Sequence, residues 1–210
     1  MSALPYLHAA LAGDRADPFC ELRAELAVAG LSASAFARLL QLGIPAKALA
    51  QLCGAGDLAA ARVSLSKDGS RFEPEGPDAR LLMLVREQGV PVDIVALATH
   101  DEDQWALRRG EGWCLGYDAW LRCEIGMAHE LRVHGTPLAW LRAGCEGACV
   151  LDWGMGLRQL RGLGEAVTLR CDRGAAVAMK ARLARGGLPM VAEDSPASGL
   201  SLAERIGRAA

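Results

Sequence analysis

The chain has 210 residues, 51% of them hydrophobic and 23% charged, with a formal net charge of −2. That length suits one domain of about 150 residues plus an appended segment, with a core large enough to need no disulfide or metal staple. The composition excludes wholesale disorder, no apolar run approaches the ~18 residues of a membrane-spanning helix, and the near-balanced charge names no class of partner.

Residues 1–13 have no basic stretch ahead of their apolar side chains, so they do not read as a secretory signal. The 7 cysteines, an odd number scattered along the chain, then read as reduced thiols in a cytoplasmic protein, mostly as small buried hydrophobes.

The first third predicts three short helices. Asp17 can cap a helix with Pro18 in its first turn, running 19–29 and stopped by Gly30. Ser32 can cap a second, with Phe36, Leu39 and Leu40 on one face, ending at Gly43. Pro45 starts a third that carries Leu49 and Leu52 and ends at Gly54. Tight Gly and Pro joints suggest that the three form a small bundle. The pair across Gly43 has the outline of a helix-turn-helix, but its second helix offers only Lys47 and Gln51 to a phosphate or a base edge.

From residue 61 the period changes to two. Val63 and Leu65 alternate with polar residues, and Asp68-Gly69 supplies a turn. Residues 81–85 fit a strand or the core of a short helix, and 92–98 read as a buried strand. Residues 105–108 and 113–115 flank Gly110-Glu111-Gly112 and predict a hairpin. After residue 135 helices and strands alternate. Thr136 caps a helix with Pro137 at its first position, 148–151 is a short strand, 157–163 a helix, 166–169 a strand, 174–185 a helix and 188–192 a strand. Strands separated by helices imply right-handed crossovers and a partly parallel sheet. The expected architecture is therefore mixed α/β: a helical segment over 1–60, packed on a sheet domain over 61–194, with a flexible tail over 195–210.

Charge is unevenly spread. Residues 1–104 hold 9 basic and 14 acidic side chains, whereas 155–190 hold 7 basic against 2 acidic. The basic group comprises Arg158, Arg161, Arg170, Arg173, Lys180, Arg182 and Arg185. Five tryptophans fall between 105 and 153, interleaved with Arg108, Arg109, Arg122 and Arg142. Trp105 and Trp113 on the expected hairpin could stack bases, with Arg108, Arg109 and the basic stretch (Arg158, Arg161, Arg173, Lys180, Arg182) taking phosphates. The bland reading of the same residues is core tryptophans and solvated helix faces.

A second pattern is acidic. Asp101 and Asp103 follow the strand at 92–98, Asp152 the strand at 148–151, and Glu193 and Asp194 the strand at 188–192. Ligands of open parallel sheets sit beyond the carboxyl ends of the strands. Carboxylates converging there could hold Mg²⁺ for phosphoryl transfer, as in topoisomerase-primase folds. Zinc is disfavoured, because Cys145 and Cys149, His129 and His134 are wrongly spaced and no CxxC pair exists. No cysteine sits at a strand-to-helix elbow flanked by glycines, as a nucleophile would. The turn Asp152-Trp-Gly-Met-Gly could hold a phosphate at a helix N-terminus, although it lacks a P-loop lysine and a third glycine.

Several segments taken together carry a resemblance. They are Val-Asp-Ile-Val-Ala-Leu-Ala (92–98), Trp-Ala-Leu-Arg-Arg-Gly (105–110), Trp-Cys-Leu-Gly (113–116), Thr-Pro-Leu-Ala-Trp-Leu-Arg-Ala-Gly-Cys (136–145) and Val-Ala-Glu-Asp (191–194). About half the chain, 92–194, resembles small uncharacterised proteins of proteobacterial prophages and integrated mobile elements, often encoded near primases or helicases. The resemblance implies mobile-element biology in a bacterial cytoplasm and carries no catalytic residues. Three functions follow as expectations. The first is a non-enzymatic accessory protein without a cofactor that binds nucleic acid or a replication protein. The second is a Mg²⁺-dependent enzyme acting on phosphodiesters or nucleotides through Asp101, Asp103, Asp152, Glu193 and Asp194. The third is an inhibitor or immunity factor that presents its acidic half to a protein.

Overall fold

The computed structural model describes residues 18–173, 176, 177, 179, 180 and 190–193. The protein is mixed α/β, with helices preceding two five-stranded sheets. Three helices open the described chain: α1 (Pro18–Ala29), α2 (Ala33–Gln41) and α3 (Ala46–Ala55). The Ser32 hydroxyl caps α2 by accepting from the Ala35 N–H at 3.2 Å, and α3 ends at Gly56, whose φ of 70° is the left-handed turn that glycine allows.

The first sheet is antiparallel throughout, in the order β2-β1-β3-β4-β5, with β1 (Leu58–Leu65), β2 (Phe72–Pro74), β3 (Asp78–Glu87), β4 (Val90–Leu97) and β5 (Trp105–Leu107). It curls until its two edges meet at a bridge between Arg71 and Leu107, where the Leu107 N–H donates to the Ser70 carbonyl at 3.0 Å. Small residues on the inner face, Ala59, Ala96 and Ala106, permit that curvature, and α1 lays Leu22 and Leu26 across it against Val63, Phe72, Leu82, Leu84 and Ile94. Residues 81–85, ambiguous in sequence, lie within β3 because alternate side chains are buried on both faces: Leu82 and Leu84 inward, Leu81, Met83 and Val85 outward.

The second sheet is mixed, in the order β10-β9-β7-β8-β6, with β6 (Cys114–Leu115), β7 (Glu130–His134), β8 (Ala148–Val150), β9 (Thr168–Asp172) and β10 (Met190–Glu193). All neighbours are parallel except β6 on β8. The connections are α4 (Tyr117–Glu124), α5 (Pro137–Arg142) and α6 (Trp153–Gly162). Thr136 caps α5 as expected, accepting from the Ala139 N–H at 3.1 Å. One face of this sheet packs under α4 and α6, burying Trp113, Trp120, Val133, Val150, Leu160 and Leu169. The other face joins the outer face of the curled sheet. Leu115, Cys149 and Leu151 share one core with α5, with Leu39, Ile44 and Leu49 from the α2–α3 region, and with Leu81, Met83, Val95 and Leu97.

Two expectations are corrected here. The three helices form no bundle: α1 covers the inner face of the curled sheet while α2 and α3 pack on its outer face. Each helix is too short to bury its apolar side chains on its neighbours alone, and the two sheet faces offer more area. Residues 105–108 and 113–115 form no hairpin. β5 pairs with β4 in one sheet and β6 with β8 in the other. The glycine turn between them is a bridge from sheet to sheet, organised by Asp93. This buried carboxylate accepts the N–H groups of Ile94, Arg109, Glu111 and Gly112 at 2.7–3.1 Å. Strand β1 begins at Leu58, ahead of the expected boundary at 61. The expected tail over 195–210 lies outside the described residues, as do parts of the expected helix over 174–185.

Candidate nucleic-acid interface and the carboxyl edge of the mixed sheet

Helix α6 begins at Asp152, whose carboxylate accepts the Gly154 N–H at 2.7 Å and the Met155 N–H at 3.4 Å. Gly156 and Leu160 turn inward. At Gly156 an added Cβ would lie 2.5 Å from Val150 Cγ1, so the helix rides on β8 at a distance only glycine tolerates. The inward positions fix the outward ones, and Arg158 and Arg161, three residues apart, are both exposed. No acidic side chain occurs within α6. Residues 173, 176, 177, 179 and 180 are helical and lead from β9 towards β10. Met179 is buried in the same cluster as Leu160, so this segment covers the same face of the sheet as α6, with Arg173 and Lys180 exposed. Arg182 lies outside the described residues.

The Trp/Arg half of the expected interface has other partners. Trp113 is 3% exposed and packs edge-on against Trp120, with ring centroids 5.5 Å apart. Trp105 is half-buried, and its Nε1–H donates to the Leu151 carbonyl at 3.3 Å, tying the two sheets together. Arg108 holds Glu25 and, at 2.7 Å, Glu73; Arg109 holds Glu21 at 2.8 Å. These arginines pin α1 to the curled sheet.

The acidic residues divide between the sheets. Asp101 and Asp103 lie in the loop from β4 to β5 of the curled sheet, whereas Asp152 follows β8 as the cap of α6 and Glu193 ends β10, both strands of the mixed sheet. Asp194 lies outside the described residues. The glycine turn after Asp152 is the first turn of α6, and its N–H groups already face that carboxylate. The expected phosphate would meet a negative charge there, so this reading of the turn is corrected.

One acidic residue escaped the sequence reading. Strand β9 runs on to Asp172, whose Oδ2 accepts the Gly135 N–H at 3.1 Å across the gap between β9 and β7. From β7 the chain passes to α5 on one face, and from β9 to the helical segment on the other. This gap is therefore the topological switch point, where α/β sheets place ligands. Glu193 stands opposite Asp172 in the parallel register of β10. The alternation of buried Leu169 and Cys171 with Arg170 and Asp172 was the available signal for the longer strand. His134, at the end of β7, is 6% exposed, and its Nε2 lies 2.9 Å from the Glu146 carbonyl.

Among the described residues, no three His, Cys, Asp or Glu side chains gather as a metal-binding group. Cys114, Cys145 and Cys149 are poor nucleophiles: burial pushes Cys145 up to about 11 and raises Cys114 and Cys149 further. None of the seven cysteines is in a disulfide, and no helix among the described residues is long and apolar enough to cross a membrane. Comparisons with protein-family models, with curated proteins and with solved structures each found no match.

Proposed function

We propose that the protein is a non-enzymatic accessory factor of a bacterial mobile element, working in the cytoplasm by binding nucleic acid. The observation that supports this reading is the outer face of the mixed sheet. Arg158, Arg161, Arg173 and Lys180 are all exposed on two helical segments that bury Leu160 and Met179 in the same cluster over one sheet face, and α6 itself carries no acidic side chain beside Arg158 and Arg161. Exposed cations on a rigid scaffold take phosphates without reading sequence, which suits a factor that follows a backbone. Trp105, Trp113, Arg108 and Arg109 carry less of the reading than Arg158, Arg161 and Lys180, because their rings and guanidinium groups already hold the fold together.

Fluorescence anisotropy with labelled single- and double-stranded DNA and RNA tests it. Four phosphate contacts on a duplex predict affinity falling on the order of 10²-fold between ~50 and ~200 mM salt. The double variant Arg158→Glu, Arg161→Glu should bind weakly and flatten the salt slope by about two. Absence of binding at low salt would refute the reading and turn attention to a replication or processing protein as the partner.

A Mg²⁺-dependent enzyme is the second reading, favoured by Asp172 and Glu193 standing in register at the carboxyl edge. Its mark would be probe cleavage that requires Mg²⁺ and disappears in Asp172→Asn. A protein-binding inhibitor has less support: Glu21, Glu25, Asp57, Glu73 and Glu102 of the acidic half are engaged with arginines of the chain itself.

A further inference from the structure

A guanidinium keeps its charge at every accessible pH and carries five N–H donors, so burying one without acceptors is costly. The protein respects this almost throughout. Of the described arginines that are not exposed, Arg86 holds Asp57, Arg108 holds Glu25 and Glu73, Arg109 holds Glu21, Arg142 holds Glu102 and Arg170 holds Glu130. The remaining one, Arg80, is the most buried. It is 8% exposed, its Nε is sealed from solvent without an acceptor, and among the described residues it makes no hydrogen bond or ion pair.

Its place in the sheet explains why the chain offers it nothing. Arg80 is the third residue of β3 and shares the inner face with Leu82 and Leu84. Its partner on β1 is Ala61, and the position after the Leu81–Leu97 pair on β4 is Ala98. Both are alanines, whose side chains bring no acceptor to the guanidinium. Asp78, two residues earlier on the same face, forms no ion pair with it.

We propose that Arg80 is an oxyanion-binding residue that takes the phosphate or carboxylate group of a small molecule at the end of the curled sheet where β3 begins. The planar fork of donors matches two oxygens of such a group, and the water-poor surroundings strengthen the bond. This site belongs to the other sheet and stands independently of the α6 surface.

The test uses the full chain with inorganic phosphate and acetate as probes, against sodium chloride at matched ionic strength. The Arg80 Nε–H resonance should shift saturably with one of the two anions. Phosphate alone identifies a phosphoryl ligand, and acetate alone a carboxylate. The same anion should raise the melting temperature of the wild type by a few degrees. Arg80→Met should lose that rise while melting no lower than the wild type in chloride. An Arg80 resonance that ignores both anions, or an equal rise in Arg80→Met, overturns the proposal. Should Arg80→Met fail to fold, the resonance in the wild type decides alone.

Discussion

Glu87 closes β3 half-buried, with one carboxylate oxygen sealed from solvent and lacking an acceptor or donor partner. Burial raises its carboxyl above the ordinary 4.5, and a backbone hydrogen bond from Trp113 offsets part of that rise. The folded state therefore holds this proton more tightly than the unfolded chain does. The stability it contributes is complete below the unfolded value and is lost as pH rises through the higher folded value. Glu87→Gln, which cannot ionise, should remove that loss. Urea midpoints measured from pH 4.5 upwards should fall more steeply for the wild type than for the variant. Parallel curves would mean that Glu87 is as well solvated when folded as when unfolded. Asp68 shows the opposite sign at the β1–β2 turn: the Ser66 hydroxyl and the Ser70 N–H and hydroxyl hold its carboxyl down to about 2.

Among the elements, the passage from β5 to β6 decides most. Alternating apolar residues around two glycines satisfy every local rule for a hairpin, yet the two strands enter different sheets. Asp93, with 0% exposure, gathers the N–H groups of Arg109, Glu111 and Gly112 together with that of Ile94, and so turns the chain out of one sheet and into the other. Its space is tight as well, since a Cβ at Gly112 would lie 2.9 Å from the Asp93 Cβ. Asp93→Ala orphans buried donors and should cost about 3 kcal/mol in urea denaturation. An unchanged midpoint would show that the turn is held by packing alone.

Across the whole molecule the two sheets are joined by a single apolar cluster, to which α2, α3 and α5 also contribute. Leu141 of α5 is 0% exposed at that junction. Leu141→Ala should cost about 3 kcal/mol, and the loss should fall on both sheets together. Tryptophan fluorescence from Trp113 and Trp120 reports on the mixed sheet, and amide exchange at Met83 and Val95 reports on the curled one. Both should move to the same lower stability. Separate transitions would mean that the sheets fold as two units despite the shared core.

How much of this was readable beforehand depends on the range of the interaction concerned. The caps at Ser32 and Thr136 and the turn at Asp68-Gly69 rest on contacts within a few residues, and the parallel character of the second half follows from the alternation of strands with helices, so the sequence determined them. The exposed basic face of α6 was legible for the same reason, because helical spacing separates Arg158 and Arg161 from Gly156 and Leu160. Tertiary structure alone decided the remainder. Nothing near Asp101 reveals that it belongs to a different sheet from Asp152, and nothing near Trp113 reveals that its ring closes a core against Trp120. The engagement of Arg108 and Arg109 by α1, the meeting of Asp172 with Gly135, and the isolation of Arg80 between two alanines are likewise long-range pairings. Strand order and sheet curvature set those distances, and both follow from burying every apolar face at once rather than from any local stretch of chain.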